Sequence, residues 1–203
     1  MRGGVLQKGL VVSGLVGVLL AGPAVAADKD GRFAVEGGGV QPCSDFLAAA
    51  EKKGERFSYY LGWMQGYMTG LNRSEPDTFD LTPWQDGRLM ALALRTFCKK
   101  QPETLLAHAV EYVALAMRDL RLRSAAPTVQ AGAGRDAITL YAPVVKEIEQ
   151  RLADLGYFRR TPDESFDGDT GIALRAFQRE TGIEVTGRPD QTTLYALFSA
   201  RKD

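Results

Sequence analysis

The stretch ALRAFQRETGIEVTG, residues 173–187, opens as a helix and closes as something else. Ala173, Leu174 and Phe177 recur at helical spacing, and Gly182 then ends the run. Ile183–Glu184–Val185 is a short extended step, and Thr186–Gly187 is a turn signal. Asp190 follows as a side-chain cap for a further helix, DQTTLYALFSARKD, residues 190–203. Upstream, YAPVVKEIEQRLADLGYF, residues 141–158, sets Val144, Val145, Ile148, Leu152 and Leu155 on one helical face. Gly156 is its expected C-terminal signal. A loop over 159–168 joins the two. Three short helices therefore share one core, expected from Leu152, Leu155, Phe166, Ala173, Leu174, Phe177, Ile183, Val185, Leu194 and Leu197. Ile183 and Val185 are expected to pack into the bundle, and Gln178 to be a buried hydrogen-bonding strut.

Working back, SAAPTVQAGAGRDA, residues 124–137, has no aromatic residue and no apolar stripe, and reads as a linker. Before it lie four helical stretches. SDFLAAAEKK starts at Ser44 as N-cap and stops at Gly54; ERFSYYLGWMQGYMTGLN follows. TPWQDGRLMALALRTFCKK takes Thr82 as cap and Pro83 as its first helical residue, and PETLLAHAVEYVALAMRDLRLR starts at Pro102. No segment alternates like a strand for more than two or three residues. Gly62, Gly66 and Gly70 fall on one face of the second helix, where each costs about 1 kcal/mol against Ala, so close packing of another backbone is expected there. His108, the lone His, is a pH-sensor candidate but is expected to be a partly buried structural residue.

The first residues read as a secretory signal. Arg2 and Lys8 precede the uncharged GLVVSGLVGVLLAG, Pro23 breaks it, and Ala24–Val25–Ala26 offers a cleavage site. The rival, an uncleaved membrane anchor, is disfavoured by Pro23 and those small residues, and no Cys follows to carry a lipid. Residues 27–40 are a polar, Gly-rich lead. In an exported chain two cysteines, Cys43 and Cys98, are a disulfide candidate. The alternatives are two buried thiols or a metal pair, for which one His leaves few ligands. With 25 basic and 25 acidic residues the chain has no basic excess for a nucleic-acid partner.

Several segments in order, covering about a third of the chain, resemble the peptidoglycan-binding domain often attached to cell-wall hydrolases. Leu155–Gly156–Tyr157 ends the first helix, DESFDGDT (Asp163–Thr170) stands for a D-G-x-[FY]-G-x-x-T loop, and Ala173–Gln178 matches A-[VL]-x-x-F-Q. Thr186–Leu194 matches T-G-x-[VP]-D-x-x-T-[LW]. The resemblance implies a three-helix bundle that binds wall. The sequence departs from it at Glu164 and Asp167, which stand where the family has Gly. The loop is thereby acidic, also at Asp163 and Asp169, and is expected to be shaped differently. Candidate ligand contacts are Tyr157, Phe166 and Tyr195, which offer rings, and Arg175, Arg179 and Arg188, whose guanidinium forks suit stem-peptide carboxylates.

Cys43–Ser44–Asp45–Phe46–Leu47, then WMQGYMTGLN, then Phe97–Cys98 with QPETLLAHAV, is similar to periplasmic acid-stress chaperones of the HdeA-like type. That likeness, over residues 40–120, implies an all-α unit whose two cysteines are joined. It does not itself imply chaperone activity.

Catalysis has little to stand on. A zinc hydrolase needs more His than one, and Cys98 has no His beside it in sequence to activate a thiolate. A glycosidase needs two carboxylates, which this composition does contain. The expected protein is all-α: a signal at 1–26, a lead at 27–40, a disulfide-linked helical domain at 41–122, a linker at 123–137 and a peptidoglycan-binding domain at 138–203. It is expected in the periplasm or cell envelope, without enzymatic activity, cofactor or metal. Its expected partners are peptidoglycan and another periplasmic protein, with no nucleic acid and no membrane after signal cleavage. The rival readings are a lytic enzyme or accessory with a carboxylate pair in the bundle, and an immunity or inhibitor protein.

Overall fold

The computed structural model describes residues 28, 30, 32–132 and 134–200, so the expected signal at 1–26 lies outside the described residues. The chain divides into Met1–Phe33 and Ala34–Asp203, and the elements below belong to the second unit.

Helix α1 (Cys43–Lys52) buries Cys43, Phe46, Ala49 and Ala50 and ends at Lys53 in the left-handed conformation. Its N-cap is Pro42, not the expected Ser44. The first N–H groups need no side-chain cap, because Cys43 and Ser44 donate to the Thr104 and Pro102 carbonyls, each at 2.9 Å. Helix α2 (Glu55–Ser74) buries Tyr60, Met64, Met68 and Leu71. Gly62, Gly66 and Gly70 trail the first three of these by two residues, about 200° around a helix. They face open space: a Cβ added to any of them meets nothing within 4 Å. The expected close packing at these glycines does not occur.

Helix α3 (Gly87–Lys100) starts four residues after the expected Pro83, capped not by Thr82 but by Asp86, whose carboxylate accepts from the Arg88 and Leu89 N–H groups. Residues 82–86 are held out of the helix by contacts elsewhere. Trp84 stacks on Phe198 at 4.7 Å, and Gln191 donates to the Trp84 carbonyl and accepts from the Asp86 N–H. Helix α4 (Leu106–Leu115) is shorter than expected at both ends. Leu105 forms a β-bridge with Pro42, and beyond a 3₁₀ turn at Arg118–Leu120, Leu122 bridges to Asp80. His108 is exposed between buried Ala107 and Ala109, contrary to the partly buried role expected of it. A disulfide joins Cys43 to Cys98 across α1 and α3, with Cα atoms 5.1 Å apart and both residues fully buried.

The segment read as a linker contains a strand. Here β1 (Thr128–Ala131) pairs antiparallel with β2 (Ile138–Tyr141), Thr128 opposite Tyr141 and Ala131 opposite Ile138. At four residues each, the strands are too short for alternation to register against the helical pattern around them. Then come α5 (Ala142–Asp154), α6 (Gly168–Thr181) and α7 (Gln191–Ser199). Ile148, Leu152, Leu174, Phe177, Leu194 and Leu197 form their common core, joined by Ala131, Leu140 and Trp84. The described residues thus make a mostly helical protein with two hydrophobic clusters, one inside α1–α4 and one around α5–α7. Of the expected core, Leu155, Phe166 and Ile183 are partly buried, while Val185 is 45% exposed and is not core.

Candidate functional site

Beside the first turn of α6 lies an open groove of about 640 Å³. One wall is Phe166–Gly168 with Gly171 and Arg175 of α6, the opposite one is Glu184–Arg188, and Gly132 and Asp136 of the β1–β2 connection close an end.

The opening stretch builds the second wall. Gly182 takes φ 71° and turns the chain out of α6, and Asp190 starts α7 by accepting from the Thr193 N–H. Between them Gln178, fully buried, acts as the expected strut. Its amide nitrogen donates to Thr186 Oγ1 (3.0 Å), the Arg188 carbonyl (3.1 Å) and Thr193 Oγ1 (2.8 Å). Its oxygen accepts from the Gly187 N–H at 2.7 Å. One side chain on α6 therefore fixes the turn that faces it. Gly187 is required twice over. Its φ is 68°, and a Cβ there would lie 2.4 Å from Arg175 Nη1. Arg175 thus lies directly against bare backbone.

The acidic loop forms the first wall. Neither Glu164 nor Asp167 adopts a left-handed conformation, so neither position needs glycine here. Asp167 is extended at φ −119° and caps α6 through the Asp169 and Thr170 N–H groups. Its carboxyl is held below the usual carboxylate range, by the Thr170 N–H first and then by Arg160. Arg160 also bonds Asp169 at 2.9 Å and lies 3.9 Å from Asp163, so one guanidinium gathers three carboxylates of the loop. Beneath it Glu149 of α5 is 1% exposed and accepts from the Asp163 N–H (2.7 Å) and the Thr170 hydroxyl. Burial raises its carboxyl above the ordinary value, and these two donors oppose that.

Of the six candidate contacts, the groove brings together Phe166, Arg175 and Arg188. Arg188 is already engaged with Asp136 at 3.4 Å. Tyr157, half-buried, meets Phe177 edge-on at 5.6 Å. Arg179 is exposed outside the groove lining. Tyr195 lines a separate apolar cleft of about 390 Å³ with Trp84, Leu92 and Phe198. Glu184, Val185, Gly132 and Asp136 line the groove without having been singled out as contacts. The Gly187 turn signal located the first pair. The other two arrive through a hairpin that reads as linker.

Residues 142–197 match the family model described as "Putative peptidoglycan binding domain". The match starts at the first residue of α5 and ends inside α7, taking in both principal walls of the groove and leaving α1–α4 outside. Comparison with the curated proteins gives no match, and comparison with the solved structures gives none either.

Proposed function

We propose that this is an exported, non-catalytic protein that holds to peptidoglycan through the α5–α7 groove and carries the disulfide-linked α1–α4 bundle as an interaction or chaperone-like module. The observation that carries the reading is a coincidence of position: the residues matching the peptidoglycan-binding family are those that build the two main walls of the groove. A cleavable signal at 1–26 and the Cys43–Cys98 bond both fit an oxidising compartment outside the cytoplasm. The same bond fits the HdeA-like pattern of the bundle. The test is incubation with purified sacculi followed by sedimentation and assay of the supernatant. The protein is expected in the pellet, with no reducing ends or peptides released. Released fragments would replace the tether with a lytic enzyme.

A further inference from the structure

The groove's charged side chains divide into those already paired and those left over. Arg188 pairs with Asp136, and Asp167 pairs with Arg160. Arg175 and Glu184, which line the same groove from opposite walls, have no side-chain hydrogen bond or ion pair among the described residues, with each other or with anything else. One free guanidinium and one free carboxylate are thus presented to the same open space. Glycine at 171 and 187 keeps the backbone bare beside Arg175, so a ligand reaches the fork without meeting a side chain there. Val185, 45% exposed, and Phe166 supply apolar surface in the same groove.

Building on the wall-binding reading, we infer that the groove recognises a zwitterionic amino-acid head, with Arg175 taking its carboxylate, Glu184 its ammonium, and Phe166 and Val185 the aliphatic stem. In peptidoglycan such a head is the free end of a diamino acid in an uncross-linked stem peptide, where one carbon bears both charges. Cross-linking converts that ammonium to a neutral amide and removes Glu184's partner. The groove therefore distinguishes open stems from cross-linked ones. A lone carboxylate would satisfy Arg175 and leave Glu184 facing no cation.

The experiment uses the whole chain and three soluble probes: a muramyl tripeptide ending in meso-diaminopimelate, the same peptide with the distal carboxylate amidated, and the same peptide with the distal amine acetylated. The free peptide is expected to bind about tenfold or more tighter than either derivative. Arg175→Gln should erase the discrimination against the amide, and Glu184→Gln the discrimination against the acetylated form. Both residues are exposed, and circular dichroism checks that each variant stays folded. Equal binding of the three probes, or unchanged discrimination in both variants, overturns the inference. If the protein still sediments with sacculi in that case, wall binding stands and only the zwitterion reading falls. If it binds neither sacculi nor probe, both fall.

Discussion

Thr170, at the start of α6, donates its hydroxyl to the buried carboxylate of Glu149 on α5. The other oxygen of Glu149 accepts from the Asp163 N–H, so one carboxylate ties down both ends of the loop that walls the groove. Glu149→Ala leaves the Asp163 N–H without its acceptor and the Thr170 hydroxyl with only Asp167, and should cost about 1–3 kcal/mol. Glu149→Gln keeps one acceptor, and the Thr170 hydroxyl is free to turn toward Asp167 and accept from the new amide. That variant should stay within about 1 kcal/mol of the parent. Urea unfolding of the two variants separates a hydrogen-bonding role from a need for charge.

Acidification should act on Asp167 and Glu149 in opposite senses. Asp167 titrates below its ordinary value in the folded state, so its stabilising contribution is full above the unfolded value, about pH 4, and is lost as pH falls through the folded one. Glu149 titrates above its ordinary value, so ionisation at neutral pH carries a cost that falling pH relieves. Asp167→Asn should therefore melt lower than the parent at pH 7, with the gap closing below about pH 4. Melting curves at pH 7 and pH 3 provide the check. A constant gap would show that Arg160 and the Thr170 N–H gain nothing from the charge.

The glycines fall into two classes with opposite expected responses. Gly62→Ala, Gly66→Ala and Gly70→Ala each add a methyl to open space on an exposed helix face and should stabilise by about 0.5–1 kcal/mol. Gly187→Ala forces a left-handed alanine against Arg175 and should cost at least about 1–2 kcal/mol, while displacing that guanidinium from the groove. Thermal melts of the four variants test both statements. Destabilisation by the α2 substitutions would mean that another surface packs on that face.

The disulfide closes a loop between residues 55 apart in sequence. On the chain-entropy account its loss should cost about 4 kcal/mol. The double variant Cys43→Ala/Cys98→Ala should unfold at correspondingly lower denaturant, and reductant should not shift it further. The loss should fall on α1–α4, whose cluster contains both cysteines.

The sequence revealed more of α5–α7 than of α1–α4, and the reasons are physical. Where a side chain sets its own helix end, as Asp190 and Gly182 do, the boundary is written locally. Where the partner lies far along the chain, it is not. Trp84 looked helical beside Thr82–Pro83, yet its ring stacks on Phe198 and its carbonyl accepts from Gln191, 107 residues away. Helical spacing put Gly62, Gly66 and Gly70 on one face without saying that the buried face is the opposite one. The same divide runs through the groove. Gln178 and Gly187 were legible because a turn and a strut are short-range devices. Asp136 was not, because it is placed by a hairpin whose four-residue strands carry too little pattern to read.

The most direct measurement is the fraction of the chain that sediments with purified sacculi, compared with Gly168→Trp. Gly168 lines the groove, and a Cβ added there meets nothing within 4 Å, so the backbone has room to carry an indole at the groove wall. The account predicts that the parent pellets and that the variant, equally folded, stays in solution. A variant that pellets as well as the parent would place wall binding elsewhere on the molecule and contradict the account.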